Sequence, residues 1–268
     1  MLKDITLGQY FPGNSVAHKL DPRTKILLVT LYIIALFSAK GLVGYAVMIA
    51  TLAACVKVSH VGLKSLVRGL KPLVVIIVFT GVLNVFFTPD THYLWEWGIL
   101  RISVKGVENA LFMVVRIMLL VMGTFLMTYT TSPIRLTDGL ESLLNPLKKI
   151  HVPVHELAMM MAIALRFIPT LIEETDKIMS AQKARGADFE SGSLFQKAKA
   201  LVPILVPLFI SAFRRADELA TAMECRCYHG GEGRTKLHVL KYQRRDYVAL
   251  TGGAVILALV VVLRKLGA

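Results

Sequence analysis

Long apolar blocks dominate this sequence and restrict what it can fold into. The segment 26–56 contains 31 residues and a single charged side chain, Lys40. One helix of that length would extend about 46 Å, which exceeds the roughly 30 Å hydrocarbon core of a bilayer. Lys40, Gly41 and Gly44 therefore predict the bend of a tight helical hairpin that crosses the membrane twice.

Three further blocks each fit one membrane-crossing helix, at 72–88, 107–131 and 247–263. Only 18% of the residues are charged, whereas soluble domains average about 25%. We therefore predict an all-α membrane protein with about five transmembrane helices. The segment 88–106 predicts a loop, in which Trp95 and Trp97 are candidate interface anchors.

The positions of the basic residues predict the topology. If the N-terminus is cytoplasmic, 25 of the 31 Lys and Arg residues lie inside, five lie outside, and Arg116 lies within the membrane. This bias places the N-terminus in the cytoplasm and the C-terminus outside, in a prokaryotic cell membrane. The net charge of +13 is explained by basic residues that flank the membrane helices on the cytoplasmic side. The expected partner is therefore the lipid bilayer, and nucleic acid is not expected.

The segment 132–245 contains two more apolar runs, 154–172 and 200–213. If both crossed the membrane, the basic loop 173–199 would lie outside, which is rare for short loops. We predict that both runs lie at or under the cytoplasmic membrane surface. The predicted organisation is a four-helix transmembrane region, a cytoplasmic coupling-helix region and a C-terminal transmembrane helix, at 1–131, 132–245 and 246–268.

Helix start and stop signals predict three helices in the coupling-helix region. Ser132 is an N-cap followed by Pro133 at the first helical position, and this helix should end before Pro146. A second, long helix should run from Pro153 to Gly186, because glycine suits a C-terminal cap.

The third helix, also long, should begin at Ser193, which has capping-box spacing to Gln196. It should end near Arg226. We expect Pro203 and Pro207 to interrupt its apolar run.

The two long helices match each other at an offset of 41 residues. The matched residues are Asp176 and Asp217, Ser180 and Thr221, Ala181 and Ala222, and Arg185 and Arg226. Each helix ends in an arginine between small residues, in Ala184-Arg185-Gly186 and in Cys225-Arg226-Cys227.

An arginine at a helix C-terminus complements the helix dipole, and its planar guanidinium can bind a carboxylate bidentately. A matched pair of such ends predicts docking into two equivalent sockets on a partner. The alternative is that both arginines only cap solvated helix ends. Small residues at four-residue spacing also predict a close helix crossing; they are Ser180, Ala184, Ala212, Ala216 and Ala220.

No catalytic motif is complete. His155-Glu156 lacks the second histidine of a zinc-binding helix, and no phosphate-binding G-x-x-x-x-G-K-[ST] loop is present. Cys225, Cys227 and His229 offer only three candidate metal ligands, so no metal or other cofactor is expected on this chain.

The alternative to a subunit that docks onto a partner is a self-sufficient membrane transporter or enzyme. Such proteins place paired ionisable groups within their spans. Arg116 is the one charged residue away from the ends and the bend of the predicted spans, so no such pair is found. Arg116 could reach the outer surface, or it could have a structural or partner-binding role.

Several motifs along nearly the whole chain resemble the T component, the transmembrane scaffold EcfT, of energy-coupling factor (ECF) vitamin transporters. Besides Ala184-Arg185-Gly186, these motifs are Gly8-Gln9-Tyr10, Leu20-Asp21-Pro22-Arg23-Thr24-Lys25, Thr137-Asp138-Gly139, Pro153-Val154-His155-Glu156-Leu157, Leu165-Arg166-Phe167-Ile168-Pro169-Thr170 and Gly230-Gly231-Glu232-Gly233-Arg234-Thr235-Lys236.

The resemblance implies a non-catalytic subunit that binds two ABC-type ATPases, expected as a heterodimer, and an exchangeable membrane-embedded S component. ATP and Mg would then bind the ATPases. The family's Ala-Arg-Gly coupling motif is matched at Arg185, and Arg226 is its counterpart. Cys225 and Cys227 replace the alanine and glycine that usually flank that second arginine. The resemblance therefore does not predict a helix end capped by glycine at Arg226.

Overall fold

The computed structural model describes residues 10–87, 93–97, 100–189, 193–231 and 239–266. These residues separate into two compact units. The bundle unit holds the described residues of 8–140 and 240–268, and the long-helix unit holds those of 141–239.

The bundle unit is built mostly from apolar helices, together with two short polar or amphipathic ones. In chain order they are α1 (Val16–Lys19), α2 (Pro22–Ser38), α3 (Gly41–Ser59), α4 (Leu63–Leu70), α5 (Val74–Phe87), α6 (Val104–Thr130) and α10 (Arg244–Lys265). The two short ones are α1 and α4. A 3₁₀ turn, Lys71–Leu73, joins α4 to α5. α7 (Pro133–Leu144) follows α6. As predicted, it begins at Pro133 and ends before Pro146.

Local signals explain where the predicted hairpin bends. Asp21 caps α2, since its carboxylate accepts the Arg23 backbone N–H at 2.9 Å, and Pro22 occupies the first turn. α2 ends at Ser38 and α3 begins at Gly41, whose φ of +65° is readily accessible only to glycine. The predicted bend is therefore confirmed.

The core of the bundle unit lies where α2, α3, α6 and α10 meet. Leu36, Met48, Leu119 and Val260 are buried there together with Tyr45. By contrast, many apolar side chains face outward. Leu42 and Val75, for example, are 78% and 77% exposed, as expected of side chains that contact lipid.

Five helical segments within the described residues are long and apolar enough to cross a membrane: Gly41–Ser59, Leu63–Phe86, Val104–Thr130, Val154–Ala184 and Arg244–Lys265. The predicted number of about five agrees with these five candidate spans, but the set differs by one. α2, at 17 residues, falls just short of this length, whereas α8 (Val154–Ala184) qualifies because its apolar half continues unbroken. The location of α8 at or under the membrane surface stays a prediction.

A short β-hairpin occupies part of the predicted loop 88–106. Strands β1 (Tyr93–Trp97) and β2 (Leu100–Ser103) pair antiparallel, with Trp97 opposite Leu100. Aromatic and branched residues favour strands over an open loop. The side chains of Trp95 and Trp97 lie outside those the structure describes, so their anchoring role stays a prediction.

The long-helix unit contains α8 and α9 (Leu194–Cys225), of 31 and 32 residues. Both starts and both ends agree with the predictions, including the Ser193–Gln196 capping box. The expected interruption at Pro203 and Pro207 is wrong, because α9 continues through both. Each proline removes only one intrahelical hydrogen bond, which the remaining bonds of so long a helix can tolerate.

Candidate functional site

Arg185 lies at the C-cap of α8 in a Schellman motif. The Ala187 N–H donates to the Gln182 carbonyl at 3.0 Å, and the Gly186 N–H donates to the Lys183 carbonyl at 3.0 Å. Gly186 has a φ of +89° with open space around it. The motif satisfies the final carbonyl groups of the helix and leaves the arginine exposed at the tip.

Arg226 occupies the same position at the end of α9. The Tyr228 N–H donates to the Met223 carbonyl at 3.0 Å, and the Cys227 N–H donates to the Glu224 carbonyl at 2.8 Å. Cys227, with a φ of +55°, takes the left-handed position that glycine holds at the end of α8. The sequence did not predict a glycine cap at this end of α9. The same type of cap forms there with Cys227 in place of glycine.

The two caps agree in detail, since the backbone angles of the arginines are φ −87°, ψ 6° at Arg185 and φ −94°, ψ 15° at Arg226. One turn before each cap, a hydroxyl donates to a carbonyl four residues earlier, in Ser180 to Asp176 and in Thr221 to Asp217. Matching conformation at matching positions indicates that the 41-residue repeat is structural.

An ion pair joins equivalent positions of the two long helices. The Arg215 guanidinium donates to the Glu174 carboxylate at 2.8 Å, and 174 and 215 are themselves 41 residues apart. Tyr228 lies just beyond the end of α9, and its hydroxyl is 3.5 Å from Nε2 of His155 at the start of α8. The helices therefore run antiparallel, and the ion pair lies near their approximate two-fold axis.

This arrangement separates the two arginines. Arg185 and Arg226 each lie 11 residues beyond their helix's member of the ion pair, on opposite sides of it. At 1.5 Å per residue the tips are therefore roughly 30 Å apart. A single small socket cannot receive both side chains, so docking into two sockets stays a prediction.

Polar contacts fix the segment that follows α9. His155 Nδ1 donates to the Glu141 carboxylate at 3.0 Å, which leaves Nε2 to accept from the Tyr228 hydroxyl. Gly231 lies flat against the His155 ring, with no room for a Cβ atom. His155 is thus engaged in structural contacts, and Gly231 is a close-approach glycine.

The small residues predicted at a helix crossing are exposed. Ala212, Ala216 and Ala220 lie on an exposed face of α9, and Ser180 and Ala184 are exposed on α8. The less exposed face of α9 is instead formed by the neighbouring stripe, whose members are Ser211, Arg215, Leu219 and Met223. A crossing at the alanine stripe stays a prediction that would need a partner helix.

Comparison with known proteins identifies the family of this chain. The family model described as "Cobalt transport protein" matches residues 13–237. An energy-coupling factor transporter transmembrane protein EcfT from Ruminiclostridium cellulolyticum is 52% identical over 265 residues, covering 99% of this chain and 98% of that protein. The chain belongs to the EcfT family.

Other members support the same assignment. The EcfT protein of Clostridium kluyveri is 56% identical over 250 residues, covering 93% of each chain. That of Bacillus subtilis is 46% identical over 264 residues, covering 98% of this chain and 100% of its own. The similarity thus extends over both the bundle unit and the long-helix unit.

In this EcfT-family chain, the motif at 20–25 belongs to a polar joint at one end of the bundle unit, whereas residues 8 and 9 of the other N-terminal motif lie outside the described residues. The Asp246 carboxylate, 1% exposed, accepts the backbone N–H groups of Asp21 and Gln243, both at 2.8 Å. The Lys25 ammonium donates to the Thr130 carbonyl at 2.8 Å and to the Thr131 hydroxyl at 3.0 Å. The joint therefore ties the starts of α2 and α10 to the end of α6.

His18 and Arg23 complete the joint. His18 Nε2 donates to the Phe11 carbonyl at 3.0 Å, so Nδ1 accepts from the Ser15 hydroxyl at 2.7 Å. Arg23 pairs with Asp21 at 3.0 Å and lies over the Tyr242 ring at 4.1 Å. Burial, with a smaller effect of the Arg135 charge, lowers the pKa of Lys25, one residue before the apolar run, to about 8.

Arg116 has a structural partner inside the bundle unit. Its Nε donates to the Tyr45 hydroxyl at 2.8 Å, and the Tyr45 ring stacks on Phe112 with centroids 5.0 Å apart. Of the alternatives left open by the sequence, the structure supports a structural contact between α3 and α6.

Sequence reasoning missed Asp246, Gly231 and the Glu174–Arg215 pair. The sequence did contain a signal for the Glu174–Arg215 pair, because these residues are 41 positions apart and so are equivalent in the repeat. Equivalent residues of two helices related by a two-fold axis come together where the helices cross that axis. Asp246 had a weaker signal, its spacing to Gln243 as a helix cap. Nothing in the sequence indicated that Gly231 lies against His155.

Proposed function

We propose that this chain is the scaffold and coupling subunit of an ECF-type ABC transporter. In this role it transmits ATP-driven movement from two ATPase subunits to a membrane-embedded S component that binds a vitamin or micronutrient. ATP and Mg belong to the ATPases, and substrate selectivity belongs to the S component. This chain contributes no catalytic group.

The observation that carries the proposal is the pair of equivalent, arginine-bearing caps placed on either side of the Glu174–Arg215 ion pair. A dimer of homologous ATPases presents two equivalent surfaces about a two-fold axis, as this arrangement requires. A carboxylate in each surface would bind the Arg185 or Arg226 guanidinium bidentately. The membrane location and the family agree with this role.

Coupling follows from the rigidity of the antiparallel pair. When the ATPases close on ATP, the two sockets move relative to each other and displace the tips of α8 and α9. Because the ion pair holds the helices together near their middle, the displacement of each tip is carried along its helix toward the apolar half. That half would bias the position of the S component. The N-terminus and the long-helix unit face the cytoplasm in this proposal.

The test combines co-purification and uptake. We expect Arg185→Ala and Arg226→Ala each to weaken ATPase association or uncouple ATP hydrolysis, and the double variant to lose nearly all vitamin uptake. Losing a charge-assisted hydrogen-bonded pair costs about 2–5 kcal/mol at an interface. Lysine at either position should restore little, because it keeps the charge without the planar fork.

Arg214→Ala is the matched control, since Arg214 is exposed on α9 but distant from its tip. It should leave association and uptake unchanged. Wild-type uptake by the Arg185→Ala/Arg226→Ala double variant would contradict the proposal.

A further inference from the structure

A basic pocket lies at the joint end of the bundle unit. Its volume is about 560 Å³, within the range typical of small-molecule sites. The residues lining it are Tyr10, Pro12, Gly13, Asn14, His18, Lys19, Arg135 and Arg245. They come from the N-terminal segment, α1, the start of α7 and the start of α10, so only the folded bundle assembles the pocket.

The charge of the lining is one-sided. Lys19, Arg135 and Arg245 line the pocket, and none of the eight lining residues is Asp or Glu. Two carboxylates of the joint are already engaged: Asp21 binds Arg23, and Asp246 accepts two backbone N–H groups. The three cations therefore give the lining of the pocket a net positive charge.

Arg245 adds an unsatisfied donor. Its Nε is buried and has no hydrogen-bond partner among the residues that the structure describes. Leaving a buried charged donor unpaired is costly, and native proteins rarely do so without a ligand or a water to accept the bond. His18 cannot supply an acceptor, because both of its ring nitrogens already have partners.

We propose that this pocket binds a phosphate group of a net-negative ligand, with Arg245, Arg135 and Lys19 as its donors. The ligand can be the headgroup of an anionic phospholipid or a free phosphate. The pocket lies beside the end of α1 and the starts of α7 and α10, at the end of the bundle that would face the cytoplasmic membrane surface in the topology predicted from the basic residues. Anionic headgroups concentrate at such a surface, and guanidinium groups bind phosphate oxygens bidentately.

The experiment uses the full-length chain in non-ionic detergent. Short-chain phosphatidylglycerol is titrated against phosphatidylcholine of the same chain length. A separate arm uses inorganic phosphate at an ionic strength matched with chloride. The midpoint of thermal unfolding gives an apparent dissociation constant, because a ligand that binds only the folded state raises that midpoint. Native mass spectrometry counts the retained lipid.

We expect phosphatidylglycerol to stabilise the wild type more than phosphatidylcholine does. The Lys19→Gln/Arg135→Gln variant should bind about tenfold more weakly or worse, since each lost charge-assisted bond weakens binding. Both residues are exposed, so this variant should fold. Protection by phosphatidylglycerol alone identifies the lipid headgroup as the source, and protection by inorganic phosphate identifies free phosphate.

The matched control is Lys241→Gln/Arg244→Gln, which removes two exposed cations near the start of α10 that do not line the pocket. It should retain wild-type binding. The proposal is overturned if neither probe protects, if phosphatidylcholine protects equally, or if the control variant weakens binding as much as Lys19→Gln/Arg135→Gln.

Discussion

Cys227 has a left-handed backbone conformation that glycine adopts at the equivalent position 186. For a residue with a side chain this conformation costs about 1–2 kcal/mol. The cap nevertheless forms, because it satisfies the carbonyl groups of Met223 and Glu224 at the end of α9. Hydrogen bonding at the helix end thus outweighs the backbone preference of one residue.

Cys227→Gly should therefore stabilise the long-helix unit by about 1 kcal/mol, seen as a higher unfolding temperature of the full chain in detergent. Gly186→Ala should lower stability by a similar amount, since the added Cβ atom meets no clash but the φ of +89° is unfavourable. Cys225→Gly is the control: it lies within the last helical turn, so glycine there should destabilise. A stabilising Cys225→Gly together with a neutral Cys227→Gly would contradict the cap assignment.

At the scale of elements, α8 and α9 form an antiparallel pair that places equivalent ends on opposite sides. The alternative, a parallel pair, would bring the tips to within about 10 Å, the usual separation of packed helix axes. The two arrangements differ in what they can bind, because only the antiparallel pair can contact two separate sockets.

Electron paramagnetic resonance can measure this separation. Spin labels can be attached at Ala184→Cys and at the native Cys225 once Cys55 and Cys227 are changed to Ser. The two labelled positions are 41 residues apart and are therefore equivalent in the repeat. We expect a distance of roughly 30 Å, from ten residues of helix on either side of the ion pair. A main distance below about 20 Å would show that the helices do not run antiparallel.

At the scale of the whole molecule, Asp246 joins parts of the chain that are distant in sequence. It accepts hydrogen bonds from residues 21 and 243 while nearly inaccessible to solvent. Removing its charge leaves buried donors without a full partner, which costs about 1–3 kcal/mol.

Asp246→Asn should accordingly lower the unfolding temperature of the full chain by several degrees. Asp217→Asn, on the exposed surface of α9, should have little effect and serves as the control. Equal unfolding temperatures for wild type and Asp246→Asn would show that the joint contributes little to stability.

Local patterns in the sequence determined most of the architecture. The apolar blocks predicted the membrane helices, the Ser193–Gln196 spacing predicted the start of α9, and Gly186 predicted the end of α8. These features depend on residues within a few positions of one another, so they are visible in sequence. The 41-residue match, which compares two such local patterns, identified both arginines as a pair.

Only the tertiary structure decided what those elements contact. It showed that α8 and α9 run antiparallel through Glu174 and Arg215, that Asp246 meets Asp21, and that Lys19, Arg135 and Arg245 share a pocket. These contacts join residues that are between 41 and 226 positions apart in the chain. Their energy depends on packing and burial in three dimensions, which a pattern of neighbouring residues does not encode.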